Sequence, residues 1–275
     1  MRAVFYNGVY SDFDSLKIPL YDRAIFFGDG VYDVVIGQGG NFFLLDEHLD
    51  RFYKNIERIG LDAYCKRDEL IKIAEGLIDL SKEESYMLYM QASGFSKTRI
   101  HARPSGRSNL LLAIFPFPKS ENFSPIKART VIDLRGNMCD IKSINLLHSV
   151  LASTGGEGTG FEESVYVRDG IVLECAHSSI AIVKDGVLYT PPLSPRILPG
   201  ITRSAALRIC KELDIAYKEI YFSKEELYKA DEVLILSTTK FCRWVSLLDD
   251  VRFARSQAKI GRIIFENLSK KYNLH

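Results

Sequence analysis

The segment CDIKSINLLHS, residues 139–149, places a single lysine, Lys142, among apolar residues. Lysine side chains are almost never fully buried unless something pairs with them. An apolar pocket lowers the pKa of a lysine because desolvation disfavours the charged form, and the neutral amine can then form a Schiff base with a carbonyl compound. Taken by itself, the spacing favours an ordinary exposed lysine at the start of a helix. Other segments of the chain must therefore distinguish this interpretation from a Schiff-base lysine.

Upstream of this segment the chain divides at a proline-rich stretch. PFPKSENFSP, residues 116–125, combines three prolines with small polar residues, a composition typical of an interdomain linker. We therefore expect a small N-terminal domain over 1–118, a linker over 119–125 and a larger domain over 126–275. A chain of 275 residues is long enough for two domains of ordinary size.

Both halves mix β-like and helical patterns, which predicts an α+β protein. Asn7-Gly8, Asp169-Gly170 and Asp185-Gly186 are hairpin turn signals between β-like runs. In the N-terminal half, Asp46 is expected to cap a helix whose apolar residues recur at helical spacing through 47–61. Further helices are predicted over 68–82, 202–214, 224–230 and 256–272, and further strands over 85–93, 109–117, 128–134, 217–222 and 232–239.

Composition excludes several classes of function. Lys plus Arg total 36 against 35 Asp plus Glu without any like-charge block, so we expect no nucleic-acid partner. The first residues lack the apolar run of a signal peptide, and no run approaches the roughly 20 residues of a membrane span, so a cytoplasmic protein without a membrane span is expected. The five cysteines and five histidines show no disulfide or metal-ligand spacing, so we expect reduced thiols and no metal.

Two segments of the C-terminal half suit a phosphate group. In LPGITRS, residues 198–204, Gly200 precedes Thr202 at the start of a helical pattern, where free backbone N–H groups and a hydroxyl can hold an anion. LSTT, residues 236–239, ends a β run with three successive hydroxyls. Each segment alone also fits an ordinary helix start or turn.

Charged residues in two other segments suit charged groups of a small ligand. VLECAHSS, residues 172–179, places Glu174 at a strand end, where it either pairs with a buried cation such as a protonated pyridine or is simply solvated. KTRIHARP, residues 97–104, puts Arg99 and His101 on one face if it is extended. That pair suits an α-carboxylate, with a basic surface loop as the alternative.

Taken together and in order, these segments resemble the fold-type IV pyridoxal 5′-phosphate (PLP) aminotransferases, most closely the D-amino acid aminotransferases. The matching segments are YDRAIFFGDGVYDVV, DEHLDRFYKN, TRIHARP, CDIKSINLLHSVLA, VLECAHSSIAIVKDGVLYTPP, ILPGITR and ADEVLILSTT. Each is weak alone, but seven in family order are specific. The resemblance implies an α+β, two-domain fold-type IV PLP enzyme with a small N-terminal α/β domain, a larger PLP-binding C-terminal domain and a homodimeric assembly.

The resemblance also implies roles for matching residues. Lys142 would form the Schiff base with PLP and move the proton between the substrate Cα and the cofactor C4′. Glu174 would contact the pyridine nitrogen and keep it protonated. The other implied cofactor contacts are Arg51, Ile201, Thr202 and Thr238 at the phosphate, Leu198 at the ring, and Gly200 and Ser237 beside them.

Substrate specificity is implied by the same resemblance. Tyr32 with Arg99 and His101 looks like the trap that D-amino acid enzymes use for the α-carboxylate, and the side that holds the carboxylate decides which Cα hydrogen faces the lysine. This implies ping-pong transamination of D-amino acids such as D-alanine with a 2-oxo acid such as 2-oxoglutarate. Branched-chain L-aminotransferases, (R)-amine aminotransferases and aminodeoxychorismate lyases are alternatives of the same fold that the R-x-H pattern argues against. A non-catalytic PLP-binding scaffold is the alternative of a different class.

Two departures from the family pattern bear on the site. His177 stands in Cys175–Ser179, where the D-amino acid enzymes typically have a run like G-S-S-S-N, and it either alters cofactor support or turns its side chain away. Gly94 and Phe95 stand where the family has an arginine after the strand. We therefore expect a different loop geometry near the substrate.

Overall fold

A computed structural model provides the coordinates. It describes residues 3–117, 123–254 and 258–271. The backbone forms two compact units, the first being Met1–Lys119 with Ile141–Asn145 and the second Ser120–Asp140 with Leu146–His275. Most of the predicted linker 119–125 lies outside the described residues. Both units combine helices with a sheet, which confirms the predicted α+β class.

The first unit is an antiparallel sheet with helices. Its described elements are β1 (Ala3–Tyr6), β2 (Val9–Asp12), α1 (Arg23–Phe27), β3 (Gly30–Gln38), β4 (Asn41–Phe42), α2 (Leu45–Arg58), α3 (Arg67–Ser81), β5 (Ser85–Ser93) and β6 (Asn109–Pro116). The strands are ordered β2-β1-β6-β5-β3-β4. Leu49, Phe52 and Ile56 lie on one face of α2 and are buried in the core of this unit, as their helical spacing predicted. Each such burial contributes about 1.5–3 kcal/mol.

Two local predictions in this unit have different outcomes. Asn7 and Gly8 both adopt positive φ, at 46° and 93°, and join β1 to β2, so the predicted hairpin is confirmed. The prediction that Asp46 caps α2 is wrong, because the N-cap is Leu44 with φ 52° and no side-chain bond. Asp46 lies in the first turn instead, where its carboxylate favours the helix dipole and binds Arg67 at 2.5 Å.

The second unit contains a mixed sheet. Its described elements are β7 (Pro125–Ile132), α4 (Leu147–Thr154), β8 (Glu163–Arg168), β9 (Ile171–Cys175), β10 (Ser179–Lys184), β11 (Val187–Thr190), α5 (Ile201–Glu212), β12 (Tyr217–Glu219), α6 (Lys224–Tyr228), β13 (Glu232–Ser237), β14 (Phe241–Leu248), β15 (Val251–Arg252) and α7 (Lys259–Lys271). The strand order is β12-β11-β10-β13-β14-β7-β8-β9, with β15 beside β14. The hairpins at Asp169-Gly170 and Asp185-Gly186 are confirmed, with positive φ at all four residues. None of the helices in the described ranges is long and apolar enough to cross a membrane.

Candidate active site

Lys142 lies in an irregular segment that runs beside β3 in the first unit and pairs with it at Ser143 and Val31. The Tyr32 amide donates to the Lys142 carbonyl at 2.9 Å, and the Ile144 amide donates to the Gly30 carbonyl at 3.1 Å. Lys142 Nζ is 4.4 Å from the centroid of the Tyr32 ring, within cation–π range. The side chain is half-buried, and α4 begins only at Leu147, so the alternative of a lysine at a helix start is wrong.

Glycine at position 30 permits this close approach. A Cβ there would lie 2.5 Å from the Ala92 carbonyl oxygen and 3.1 Å from Ile144 Cδ1. Any larger residue would push the lysine segment away from β3. The sequence GDG just before Tyr32 is therefore part of what holds Lys142 in place.

Tyr32 also has an aromatic neighbour. Its ring stacks on Tyr89 with centroids 5.6 Å apart and planes inclined by 23°. Burial raises the pKa of Tyr89, so its hydroxyl stays protonated and donates to Gln91 Oε1 at 2.7 Å. Stacking on Tyr89 thus holds in place the Tyr32 ring that lies beside the Lys142 amine.

Arg51 is held by Asp33, the residue after Tyr32 on β3. Arg51 donates from Nε and Nη2 to the two Asp33 oxygens at 2.8 and 2.9 Å, in a bidentate pair. His48 Nδ1 is 2.7 Å from Asp33 Oδ1. Burial alone would raise the pKa of Asp33, but Arg51 and His48 hold it well below its usual range. Burial lowers the pKa of His48, so its neutral ring donates to the carboxylate.

Arg99 and His101 are brought together by an aromatic side chain. The Arg99 guanidinium carbon lies 5.2 Å from the centroid of the Phe27 ring, and the His101 ring centroid lies 5.4 Å from the same ring. A cavity in this unit lies beside Arg99 and is lined in part by Phe26 and Tyr21. The predicted pair is therefore one cluster, with the Arg99 cation next to a concave surface that includes aromatic side chains.

In the second unit Glu174 is buried and doubly bound. Its Oε1 accepts from Arg135 Nη1 at 2.6 Å, and its Oε2 accepts from the Leu198 amide at 3.0 Å. Arg135 also binds Asp133 and stacks on Tyr166, its guanidinium carbon 4.1 Å from the ring centroid. The predicted alternative of a solvated strand end is wrong, because the side chain of Glu174 is only 7% exposed.

Thr202 lies in the first turn of α5 with an unsatisfied hydroxyl. Thr202 Oγ1 is buried and has no hydrogen-bond partner among the described residues. The N-cap, Gly200, adds no side-chain bond, and the first amides of any helix lack partners within that helix. A Cβ at Gly200 would collide with Ser179 Oγ. A buried hydroxyl beside free amides at a helix N-terminus is the chemistry of an anion site.

The second predicted phosphate segment approaches the first through Ser179. Ser179 on β10 pairs in register with Leu236 on β13, directly before Ser237 and Thr238. Ser237 Oγ accepts from the Lys240 amide at 3.2 Å, which fixes the turn. The two hydroxyl-bearing segments therefore lie at the same end of the adjacent strands β10 and β13 in the second unit's sheet.

His177 is directed toward a buried carboxylate. Its side chain is 55% exposed, with Nδ1 3.6 Å from Glu163 Oε1 and Nε2 3.4 Å from Ser153 Oγ. Glu163 also accepts from Ser178 Oγ at 2.8 Å and from Lys240 Nζ at 3.2 Å. Glu163 thus connects the segment containing His177 with the turn after β13.

Three residues important to this arrangement were missed by sequence reasoning: Asp33, Arg135 and Glu163. Asp33 is a charged residue within the largely apolar pattern of β3, and Glu163 is the first residue of β8. The position of Asp33 is a usable signal, because a charged residue is rarely buried unless it is paired. Arg135 gave no such signal, because it lies in an irregular segment after β7.

The chain is similar in sequence to known aminotransferases. The profile of a family described as "Amino-transferase class IV" matches residues 30–248. The D-alanine aminotransferase of Bacillus licheniformis is 36% identical over 239 residues, which are 86% of this chain and 84% of that protein.

Solved structures share the fold. The branched-chain aminotransferase of Thermoproteus uzoniensis, solved with norvaline, matches with a TM-score of 0.88 at 24% identity over 98% of this chain and 96% of that one. A second branched-chain amino acid aminotransferase, from T.th. and complexed with N-(5′-phosphopyridoxyl)-L-glutamate, matches with a TM-score of 0.87 at 20% identity, over 98% and 94%. The predicted fold type IV is thereby confirmed.

Proposed function

Because the chain belongs to the class IV aminotransferases, a PLP-dependent family, we propose that it transfers the amino group of D-amino acids such as D-alanine to a 2-oxo acid such as 2-oxoglutarate. Solved structures that share the fold include branched-chain aminotransferases, so the fold alone does not distinguish the enantiomer. The observation that carries the proposal is the pairing of Arg99 and His101 on Phe27 in the unit that also holds Lys142 and Tyr32.

The residues of the second unit fit the cofactor. The unsatisfied Thr202 hydroxyl and the amides of Ile201 and Thr202 would bind the phosphate, with Ser237 and Thr238 as further contacts. Leu198 would pack against the ring, beside Glu174. When bound, PLP supplies an electrophilic carbonyl and an electron sink for the substrate Cα.

Lys142 would carry the cofactor and act on the substrate proton. Its amine would take the proton from the substrate Cα and deliver it to the cofactor C4′, which is general base and general acid work by one group. The Tyr32 ring face, 4.4 Å from Nζ, stabilises the amine when it is charged. Arg51, fixed by Asp33, is a further phosphate ligand in this proposal.

Glu174 would keep the pyridine nitrogen protonated, with Arg135 as its support. The 2.6 Å bond from Arg135 pairs the buried carboxylate with a cation. The Leu198 amide occupies Oε2 and fixes the orientation of the carboxylate. Arg135 is thus a positioning residue that acts through Glu174.

Arg99, His101 and Tyr32 would bind the substrate carboxylate, and this binding decides which Cα hydrogen faces Lys142.

We further propose a homodimer in a reducing compartment such as the cytoplasm. Exposed apolar side chains such as Leu147 and Leu151, 67% and 60% accessible, support a partner surface. All five cysteines are free thiols, which supports the compartment.

Initial-rate kinetics test the proposal. We expect the double-reciprocal plots of rate against D-alanine, taken at several fixed 2-oxoglutarate concentrations, to be parallel, because the amino group stays on the enzyme between the two half-reactions. Lys142→Ala should abolish turnover. Activity with L-leucine and none with D-alanine would indicate the branched-chain alternative, and a protein that binds PLP without transferring an amino group from either substrate would be the scaffold.

A further inference from the structure

One carboxylate in the first unit binds two arginines, one that contacts the segment 99–103 and one that belongs to it. Asp29 Oδ2 accepts from Arg23 Nε at 2.6 Å and from Arg103 Nε at 2.9 Å, and Arg103 Nη2 donates to Oδ1. The Asp29 side chain is 13% exposed. Burial alone would raise the pKa of Asp29, but hydrogen bonds from Arg103 and Arg23 hold it below its usual value. The carboxylate is therefore ionised and satisfied on both oxygens.

Each arginine fixes a different part of the segment 99–103. Arg23 donates from Nη1 to the Ile100 carbonyl at 2.6 Å and from Nη2 to the His101 carbonyl at 2.8 Å. Arg103 belongs to the segment itself, and its Nη1 donates to the Ile59 carbonyl at 2.7 Å. The backbone between Arg99 and Arg103 is thus held at the carbonyls of Ile100 and His101 and, through the Arg103 side chain, at its end.

Arg23 also positions the aromatic ring that Arg99 and His101 share. Its guanidinium carbon lies 4.4 Å from the centroid of the Phe27 ring. The His101 and Arg99 side chains contact the same ring. The ring and the loop backbone are therefore held by one guanidinium, whose own position depends on Asp29.

Gly94 makes room for this cluster. A Cβ at position 94 would lie 2.7 Å from Asp29 Oδ2, 3.0 Å from Arg23 Cδ and 3.2 Å from Arg103 Nε. The Gly94 amide donates to the Asp29 carbonyl at 3.0 Å. A glycine at this position is what allows Arg103 to reach Asp29.

The turn that carries Asp29 also holds the lysine segment. Asn145 Nδ2 donates to the Gly28 carbonyl at 2.9 Å, and the Ile144 amide donates to the Gly30 carbonyl at 3.1 Å. The residues on both sides of Asp29 are therefore bound to the segment of Lys142. One short turn connects the lysine to the loop of Arg99 and His101.

We propose that Asp29 and Arg103 are positioning residues for substrate specificity, which fix Arg99 and His101 relative to Lys142 through the turn Gly28–Gly30. The inference rests on the proposed function of Arg99 and His101 as the carboxylate trap. Neither Asp29 nor Arg103 need touch the substrate. Their removal should weaken substrate binding and enantiomer selection while the lysine chemistry persists.

The test uses the PLP-loaded enzyme and Arg103→Ala. We expect KM for D-alanine to rise about tenfold or more, with kcat changed by less than about threefold, since loss of positioning weakens binding before chemistry. Arg107→Ala is the matched control, because Arg107 belongs to the same loop region but contacts Tyr64, with its guanidinium carbon 3.8 Å from the ring centroid. Its KM should stay at the wild-type value.

A double-mutant cycle separates positioning from general destabilisation. If Arg103 acts through Arg99, Arg103→Ala should add little to the KM of Arg99→Ala, whereas independent effects would multiply. Arg103→Lys, which keeps the charge but loses the fork to Asp29, should fall between wild type and alanine and serves as well if Arg103→Ala does not fold. Asp29→Asn should repeat the KM effect of Arg103→Ala.

The outcomes distinguish the two proposals. A wild-type enzyme without activity on D-alanine overturns the proposed function. An active wild type in which Arg103→Ala and Arg103→Lys keep the wild-type KM and the wild-type ratio of D-alanine to L-alanine activity overturns the positioning role. Multiplicative effects of Arg103→Ala in cycles with Arg99→Ala and with His101→Ala also overturn it, because Arg103 would then act apart from both residues.

Discussion

Replacing Thr202 with valine should raise the stability of the PLP-free protein and lower its affinity for PLP. Thr202 Oγ1 is buried without a partner among the described residues, and a buried unsatisfied hydroxyl costs about 1–3 kcal/mol. Valine has nearly the same shape, so the variant without PLP should be more stable than the wild type by about that amount.

The same substitution should weaken PLP binding. A hydrogen bond to a charged group contributes about 1.5–3 kcal/mol, which corresponds to a rise in Kd of about 10- to 150-fold. Urea unfolding of the PLP-free protein measures the first effect, and titration of that protein with PLP measures the second. Pyridoxal, which lacks the phosphate, should bind both proteins equally.

Thr190→Val provides the matched control. Thr190 is also buried, but its Oγ1 donates to the Ile180 carbonyl at 2.8 Å and accepts from Arg203 Nε at 3.2 Å. The valine there should lower stability, because it leaves these partners unsatisfied, and should leave Kd for PLP near the wild-type value. If Thr202→Val destabilises the PLP-free protein and leaves Kd for PLP unchanged, the assignment of Thr202 to the phosphate is wrong.

Two further substitutions test the buried ion pairs. The pKa of Glu163 is lowered to about 2: burial alone would raise it, but hydrogen bonds and charges from His177, Lys240 and Ser178 outweigh burial. The ionised carboxylate therefore contributes roughly 3 kcal/mol to the free energy of unfolding above pH 4.5, and this contribution is lost as the pH falls toward 2. When the free energy of unfolding is measured against pH, Glu163→Gln should be less stable than the wild type at pH 7 and equal to it near pH 2. Arg135→Met should cost about 3–5 kcal/mol in urea unfolding, because it leaves Glu174 buried without the Arg135 cation, whereas Arg67→Met, which removes exposed pairs, should cost about 1 kcal/mol or less. Equal costs for the two arginine variants would contradict the importance given to Arg135.

Much of the fold could be predicted because its signals are local. Asn7-Gly8 and Asp169-Gly170 must adopt positive φ in tight hairpins, and these residue types do so at low cost. Strand β5 was predicted at its observed bounds, Ser85–Ser93, from β-like composition. The five-residue helix α1 was missed, since it is too short to show a helical period.

The parts of the site that escaped prediction depend on contacts distant in sequence. Arg135 and Glu174 are 39 residues apart, and Arg103 and Asp29 are 74 apart. The sequence alone does not identify which cation pairs with which anion, because a chain with balanced charge offers each charged residue many possible partners. The Asp46 cap failed for a local reason, because Leu44 in the left-handed region starts the helix two residues earlier.

We propose that Lys142 binds PLP and that the loop of Arg99 and His101 selects D-amino acids. The most direct measurement is the visible absorbance of the purified protein during titration with D-alanine and, in a parallel cuvette, with L-leucine. We predict that D-alanine alone bleaches the visible band of the bound cofactor and that Lys142→Ala lacks this band. Bleaching by L-leucine alone would contradict the specificity assigned to Arg99 and His101, and a wild-type protein without any such band after incubation with PLP would contradict the assignment of Lys142.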